Sequence, residues 1–204
     1  EAVEALNLHW LQMEGYEADD LIATYADLAL KEGKDVTIVS ADKDLMQLIR
    51  PGVEFYDGMK NKFFTPEDVK EKFGVYPERV TDVQALAGDS TDNIPGIPGI
   101  GLKTAAELVN MYGSLEGVLE HAAEIKQNKR RELVMAHKED ALVSQKLVTL
   151  KPDVPVELPL KDLRCMAPHQ DVLISLLDRH AFKSLKNKAL NWLKQRCSCL
   201  LYTS

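Results

Sequence analysis

A parallel α/β sheet feeding a helical segment is the fold class that the sequence predicts, and three observations predict it. Residues 1–75 alternate strand-like and helix-like patterns. The run DVTIVS (35–40) is β-branched without a strongly polar break, as in a parallel strand covered on both faces. Beyond residue 77 strand signals stop.

Taken in order, EAVEALNL (1–8) reads as the end of a helix and HWLQM (9–13) as a short strand. Leu21, Ile22, Tyr25, Leu28 and Ala29 recur at helical spacing between Ala18 and Lys31, which predicts a helix with one buried face, ended by Gly33. After DVTIVS and ADKD, the run DLMQLI opens another helix. VEFYD and KFFT, separated by GMKNK, read as a hairpin or two edge strands. Thr65-Pro66-Glu67-Asp68 is a strong helix start, with Thr as the cap, Pro in the first turn and an acid three residues after the cap. PERVTDVQALAG, LKTAAELVNMYG, SLEGVLEHA, residues 124–148 and residues 169–180 then read as helices. No internal repeat or low-complexity segment occurs.

The chain has 204 residues, 45% hydrophobic and 28% charged, which is the composition of a soluble globular protein with a sizeable core. No apolar run reaches the roughly 18 residues that span a membrane, and no signal-peptide pattern argues for export. Three cysteines, Cys165, Cys197 and Cys199, are odd in number and late in the chain, which points to a reducing compartment. A net charge of −7 argues at face value against a nucleic-acid partner. That argument weakens where acids gather at one metal site, because bound cations reverse the local field. The sequence begins Glu1-Ala2-Val3 inside an amphipathic pattern, so the expectation is a fragment with an upstream part.

Acidic residues fall in three clusters: Glu17, Asp19 and Asp20; Asp42 and Asp44; Asp89 and Asp92. Two of them have a bland explanation when taken alone, and the second is harder to dismiss. The first fits an acidic helix start favoured by the helix dipole, and the third fits a turn whose Asp side chains satisfy the local backbone. The second lies just past the carboxyl end of a buried strand, where ligands of α/β sheets gather. Together they supply seven carboxylates with no basic residue adjacent to the first or third cluster. Hard cations such as Mg²⁺ and Mn²⁺ take oxygen ligands, and two-metal sites hydrolyse phosphodiesters. No Cys/His spacing suggests zinc, and no P-loop appears.

Directly after the third cluster runs NIPGIPGIGLKTAAELV (93–109). Gly96, Gly99 and Gly101 permit tight turns and Pro95 and Pro98 stiffen them. The helix then begins near Leu102 and presents free N–H groups with Lys103 and Thr104, a geometry suited to phosphate. A plain interhelical turn is the bland alternative.

EGYEADDLIAT (14–24), TIVSADKDLMQLI (37–49) and LAGDSTDNIPGIPGIGLKTAAELV (86–109) resemble the 5′ nuclease domain of bacterial DNA polymerase I, of the flap-endonuclease superfamily. The motifs stand in the family's order and spacing, and the likeness runs from residue 1 to about 190. The resemblance implies the C-terminal part of a PIN-like (Rossmann-like) domain at 1–75. A helical region with a helix-hairpin-helix (helix-three-turn-helix) follows at 76–185, and a linker or non-native tail at 186–204. Matched residue by residue, Glu17, Asp19, Asp20, Asp42, Asp44, Asp89 and Asp92 fall on metal-binding carboxylates. Glu17 and Asp19 would help hold a first Mg²⁺; Asp42, Asp44 and Asp92 would hold a second; Asp20 and Asp89 would be direct or outer ligands. Gly96, Ile97, Gly99, Gly101, Lys103 and Thr104 fall on the hairpin that grips duplex DNA, often with a monovalent cation. The implied activity is Mg²⁺- or Mn²⁺-dependent 5′-3′ exonuclease and flap endonuclease action on nicked, gapped or flapped duplexes in repair and primer removal. The implied setting is a cytoplasmic, nucleoid-associated monomer.

Two departures stand out. The family's first strand ends in a ligand Asp and is followed by another Asp and a basic helical arch, all upstream of Glu1. After about Lys194, RCSCLLYTS does not match, and its Cys-x-Cys reads as irrelevant. A catalytically silent duplex-binding fragment is therefore the alternative, and a PIN-type ribonuclease toxin a weaker one against which GIPGIG argues. His9, His121, His137, His169 and His180 lack triad or zinc spacing and read as structural or exposed, and Tyr112 and Trp192 as packing residues. KQNKRR (126–131) reads as a solvated helix face or a phosphate contact, and Lys43 as an offset to its acidic neighbours or a phosphate contact.

Overall fold

The computed structural model describes the backbone of residues 1–199 and side chains to Lys194; the expectations for the tail from residue 195, Cys197 and Cys199 included, lie outside the described side chains. The elements are α1 (Ala2–Ala5), α2 (Ala18–Lys31), β1 (Val36–Val39), a 3₁₀ turn (Asp44–Leu48), β2 (Val53–Asp57) and β3 (Lys62–Phe64). Then come α3 (Pro66–Phe73), α4 (Val80–Ala87), α5 (Leu102–Tyr112), α6 (Leu115–Glu120), α7 (Asn128–Ala136), α8 (Lys138–Val148), α9 (Gln170–Arg179) and α10 (Lys183–Cys199). Among the described residues no helix is long and apolar enough to cross a membrane.

The chain divides into two compact units, one of Gly15–Pro155 and one joining Glu1–Glu14 to the segment from Val156 onward. In the larger unit the sheet order is β1-β2-β3. β1 and β2 run parallel with Val36 opposite Val53, and β2 and β3 antiparallel with Phe55 opposite Phe64. Phe55, fully buried, meets Phe64 edge-on at 5.8 Å between ring centres. α4 packs on both α5 and α8, and Val80, Val83, Leu86, Ala105, Val109 and Ala141 continue the same core as the sheet. α3 starts as expected: Asp68 N–H donates to Thr65 Oγ1 at 3.2 Å, and Thr65 N–H donates to Asp68 Oδ2 at 2.8 Å. The smaller unit buries Ala5, Leu173 and Leu177 together, with His169 N–H donating to Ala5 O.

The α/β part followed by helices is the architecture expected, but several elements differ. HWLQM is not a strand; His9, Trp10 and Leu11 are exposed, and among the described residues no strand pairs with the segment. β1 is buried on one face only, with Ile38 5% exposed and Val39 68%, and it is an edge strand that pairs with β2 alone among the described residues. The helix expected from DLMQLI is a single 3₁₀ segment, since Pro51 disfavours helical geometry at Arg50. Residues 124–148 form two helices rather than one, broken at His137, whose Nδ1 pairs with Asp140 at 2.7 Å. In α2 the most buried face centres on small residues, Ala23, Ala26 and Ala29, with Thr24 among them. Thr24 Oγ1 donates to Lys151 O at 3.0 Å and accepts from Val154 N–H at 3.1 Å, so the chain after α8 lies pinned along that helix. Within the segment 186–204, read as a linker or non-native tail, residues 186–194 belong to α10 and Leu193 is buried.

Truncating Phe55 to Ala should lower unfolding free energy by about 3–5 kcal/mol in urea titrations, because it empties a fully buried position packed edge-on against Phe64.

Candidate metal centre and hairpin

The loop leaving β1 holds itself by its own side chains. Asp42 N–H donates to Ser40 Oγ at 3.0 Å, and Asp44 N–H donates to Asp42 Oδ1 at 3.0 Å. Asp42 therefore braces the loop that leads into the 3₁₀ turn begun by Asp44. From the other side, α4 ends at Gly88 and delivers Asp89, whose Oδ1 accepts Thr91 N–H at 2.9 Å. Carboxylate oxygens of Asp44, Asp89 and Asp92 lie within 4.8 Å of one another. Among the described residues this is the one group of three or more His, Cys, Asp or Glu side chains that meets such a spacing. Side chains offset part of the repulsion: Lys43 forms an ion pair with Asp89, and Gln84 Nε2 donates to Asp44 Oδ1 at 2.6 Å.

Glu17, Asp19, Asp20 and Asp42 stand outside that group of three. Asp20 is occupied locally: its Oδ1 accepts Lys151 N–H at 2.9 Å and its Oδ2 accepts Glu17 N–H at 3.4 Å. Asp19 is close enough to the second cluster to feel it. Burial first, then the charges of Asp42, Asp44, Glu17 and Asp20, push its pKa up to about 6. Burial likewise raises Asp44, against the opposing hydrogen bond from Gln84. Asp89 is lowered, chiefly by its hydrogen bond from Lys43. Such a site favours cations. Its donors are all carboxylate oxygens, partly desolvated and short of positive partners, which suits a hard divalent ion.

The hairpin is built onto this acidic loop by backbone contact. Gly96 (φ +58°) lies so close to the end of α4 that an added Cβ would come within 2.3 Å of Gly88 N. Asp89 and Ile94 exchange hydrogen bonds at 3.0 and 2.8 Å, and Ile97 N–H donates to Leu86 O at 2.8 Å. Ser144 on α8 completes the clamp: its buried hydroxyl accepts Gly96 N–H at 2.9 Å and donates to Asp140 O at 2.7 Å. Ile97 and Ile100 are buried under the loop, while Gly99 and Gly101 are exposed. Gly101 caps α5, with nothing near its would-be Cβ, and exposed Lys103 and half-buried Thr104 follow in the first turn. Of the basic run 126–131, Arg130 pairs with Glu107 and Arg131 donates to Ile125 O.

Gln84 and Ser144 are the two polar residues that the sequence pattern did not single out. Their only signal was a polar side chain on an otherwise apolar helical stripe, and what each one holds depends on residues 40 and 48 positions away.

Two family models match the chain: the 5′-3′ exonuclease N-terminal resolvase-like domain over residues 1–74 and the 5′-3′ exonuclease C-terminal SAM fold over residues 75–171. The DNA polymerase I of Rhizobium leguminosarum is 50% identical over 199 residues, covering 98% of this chain and 19% of that protein. That of Bacillus caldotenax is 40% identical over 192 residues, covering 92% and 22%. A 5′-3′ exonuclease of Aquifex aeolicus is 40% identical over 185 residues, covering 91% and 63%. The chain thus spans about a fifth of the polymerases and under two thirds of the exonuclease. The solved structure of a bacteriophage T5 5′-exonuclease with bound zinc has a TM-score of 0.65 at 22% identity, covering 89% of this chain and 61% of that one. The catalytic core of Rad2 in complex with DNA substrate has a TM-score of 0.57 at 17% identity, covering 94% and 66%. At these identities both show the fold.

Two outcomes follow from the geometry. Ser144→Ala leaves the Gly96 N–H buried without an acceptor and should cost about 1–3 kcal/mol in urea unfolding. Asp19 has a folded pKa near 6 against an ordinary 3.8, so the folded chain retains a proton that the unfolded chain releases. That linked stability is fully present below the unfolded value and is lost as pH rises through the folded one. In chelator, stability measured from about pH 4 to 7 should decline less steeply in Asp19→Asn than in the unaltered chain.

Proposed function

The chain belongs to the 5′-3′ exonuclease family, and from that premise we propose that it carries the second-cation site and duplex grip of a structure-specific 5′ nuclease. The reaction class is hydrolysis of a DNA phosphodiester near the 5′ end of a nicked, gapped or flapped duplex, as in repair and primer removal. The convergence of Asp44, Asp89 and Asp92 beside a glycine hairpin built onto the same loop is the observation that supports this best.

In this reading Asp42, Asp44, Asp89 and Asp92 hold a divalent cation, Mg²⁺ or Mn²⁺, and Glu17 and Asp19 face a first one, with Asp20 supporting them. Bound cations supply a more acidic water and neutralise charge developing on the phosphodiester. The remaining work belongs to the chain. Lys43 and Gln84 keep Asp89 and Asp44 in place. Gly96, Ile97 and Gly99 shape the hairpin, and the free N–H groups after Gly101, with Lys103 and Thr104, take phosphate oxygens without reading bases. A monovalent cation at the hairpin fits the same reading, as does action as a monomer. We place residues 1–75 in the nuclease's α/β domain, 76–185 in its duplex-binding region and 186–204 after it.

In the nuclease that contains this segment, Asp44→Asn should slow cleavage of a 5′-flap substrate by at least about 100-fold while changing duplex affinity less than about twofold. Unchanged cleavage would remove Asp44 from the reaction. Lys103→Ala should weaken duplex binding across sequences and reduce the slope of log affinity against log salt by about 1. A slope equal to that of the unaltered chain would move the grip elsewhere.

A further inference from the structure

Gln84 sits in α4 with 2% of its surface exposed, among Val83, Ala85 and Leu86, which are fully buried. Its Nε2 donates to Asp44 Oδ1 at 2.6 Å. Its Oε1 is, among the described residues, the one buried side-chain nitrogen or oxygen with no hydrogen-bond partner. Turning the amide over would set an oxygen against the Asp44 carboxylate and leave the NH₂ in the unpartnered place, so the donor orientation is the one the surroundings select. A methionine of similar length would fill this apolar position without leaving a polar atom unmet. The glutamine is thus a poor choice for packing and a good one for holding a carboxylate.

We infer that Gln84 is a positioning residue for the cation site, fixing Asp44 against the carboxylates that the end of its own helix delivers. The two oxygens of a carboxylate share a plane, so fixing Oδ1 restricts where Oδ2 can point. Asp44 otherwise stands at the start of a short 3₁₀ turn with Asp42 and Asp92 repelling it. Gln84 also forms the last turn of α4, its carbonyl accepting Gly88 N–H at 2.8 Å, one residue before Asp89. One turn of helix therefore sets Asp89 and, through the amide, Asp44. The inference rests on the reading of Asp44, Asp89 and Asp92 as cation ligands.

Mn²⁺ titration followed by electron paramagnetic resonance, with thermal melts in chelator, tests it on this chain and on Gln84→Met, Asp44→Asn and the double variant. Gln84→Met should bind Mn²⁺ about tenfold or more weakly. Its melting temperature should be unchanged or higher, because the unmet oxygen is gone. In the Asp44→Asn background the same change should alter affinity less than about twofold. Equal Mn²⁺ affinity in the unaltered chain and Gln84→Met would overturn the positioning role while leaving the cation site standing. A lowered melting temperature with the same affinity loss in both backgrounds would mark Gln84 as structural and overturn it as well. Absence of Mn²⁺ binding by the unaltered chain would overturn both readings.

Discussion

Carboxylates drawn from separate stretches of one chain repel each other, and this fold holds them together against that repulsion. Asp44 reaches the group from the loop after a strand, Asp89 from the end of a helix, and Asp92 from the turn beyond it. Asp19, from a fourth element, is near enough to be driven up to about 6 by burial and by its neighbours' charge. Among the described residues one ion pair from Lys43, one amide from Gln84 and hydrogen bonds from Thr91 counter the repulsion at the group of three. A protein selected for stability alone would place lysines or apolar residues there. The persistence of the strain is what a cation site requires.

The same constraint explains the glycine hairpin. Asp89 can face Asp44 only if the chain turns back at the end of α4, and the turn brings Gly96 against Gly88 where no side chain fits. Ser144 then supplies the acceptor that the buried Gly96 amide lacks within its own loop. Acidic loop and hairpin are therefore one mechanical piece, which gives the start of α5 a fixed relation to the carboxylates.

Much of this was legible in the sequence because the signals are local. The Thr65 capping box, the start of α5 after Gly101 and the strand pair around GMKNK are written in contiguous residues, and so are the three acidic clusters. Features that depend on partners were not. HWLQM carries a strand-like composition, but a strand exists only where another strand accepts its hydrogen bonds. DLMQLI has helical spacing, yet Pro51 leaves no room for a full helix. The roles of Gln84 and Ser144 were hidden for the same reason, since they act on residues 40 and 48 positions away in the chain. Asp20 fits a direct or outer ligand by its position, and its backbone N–H partners, one of them Lys151, could not be read from the pattern. Spacing alone does not separate these uses.

Anomalous scattering from crystals of this chain grown with Mn²⁺ at neutral pH tests the central claim most directly. The account predicts a peak among the Asp44, Asp89 and Asp92 carboxylates that disappears in Asp44→Asn crystals. Fully grown crystals with no peak there, and Lys43 still paired with Asp89, would contradict it.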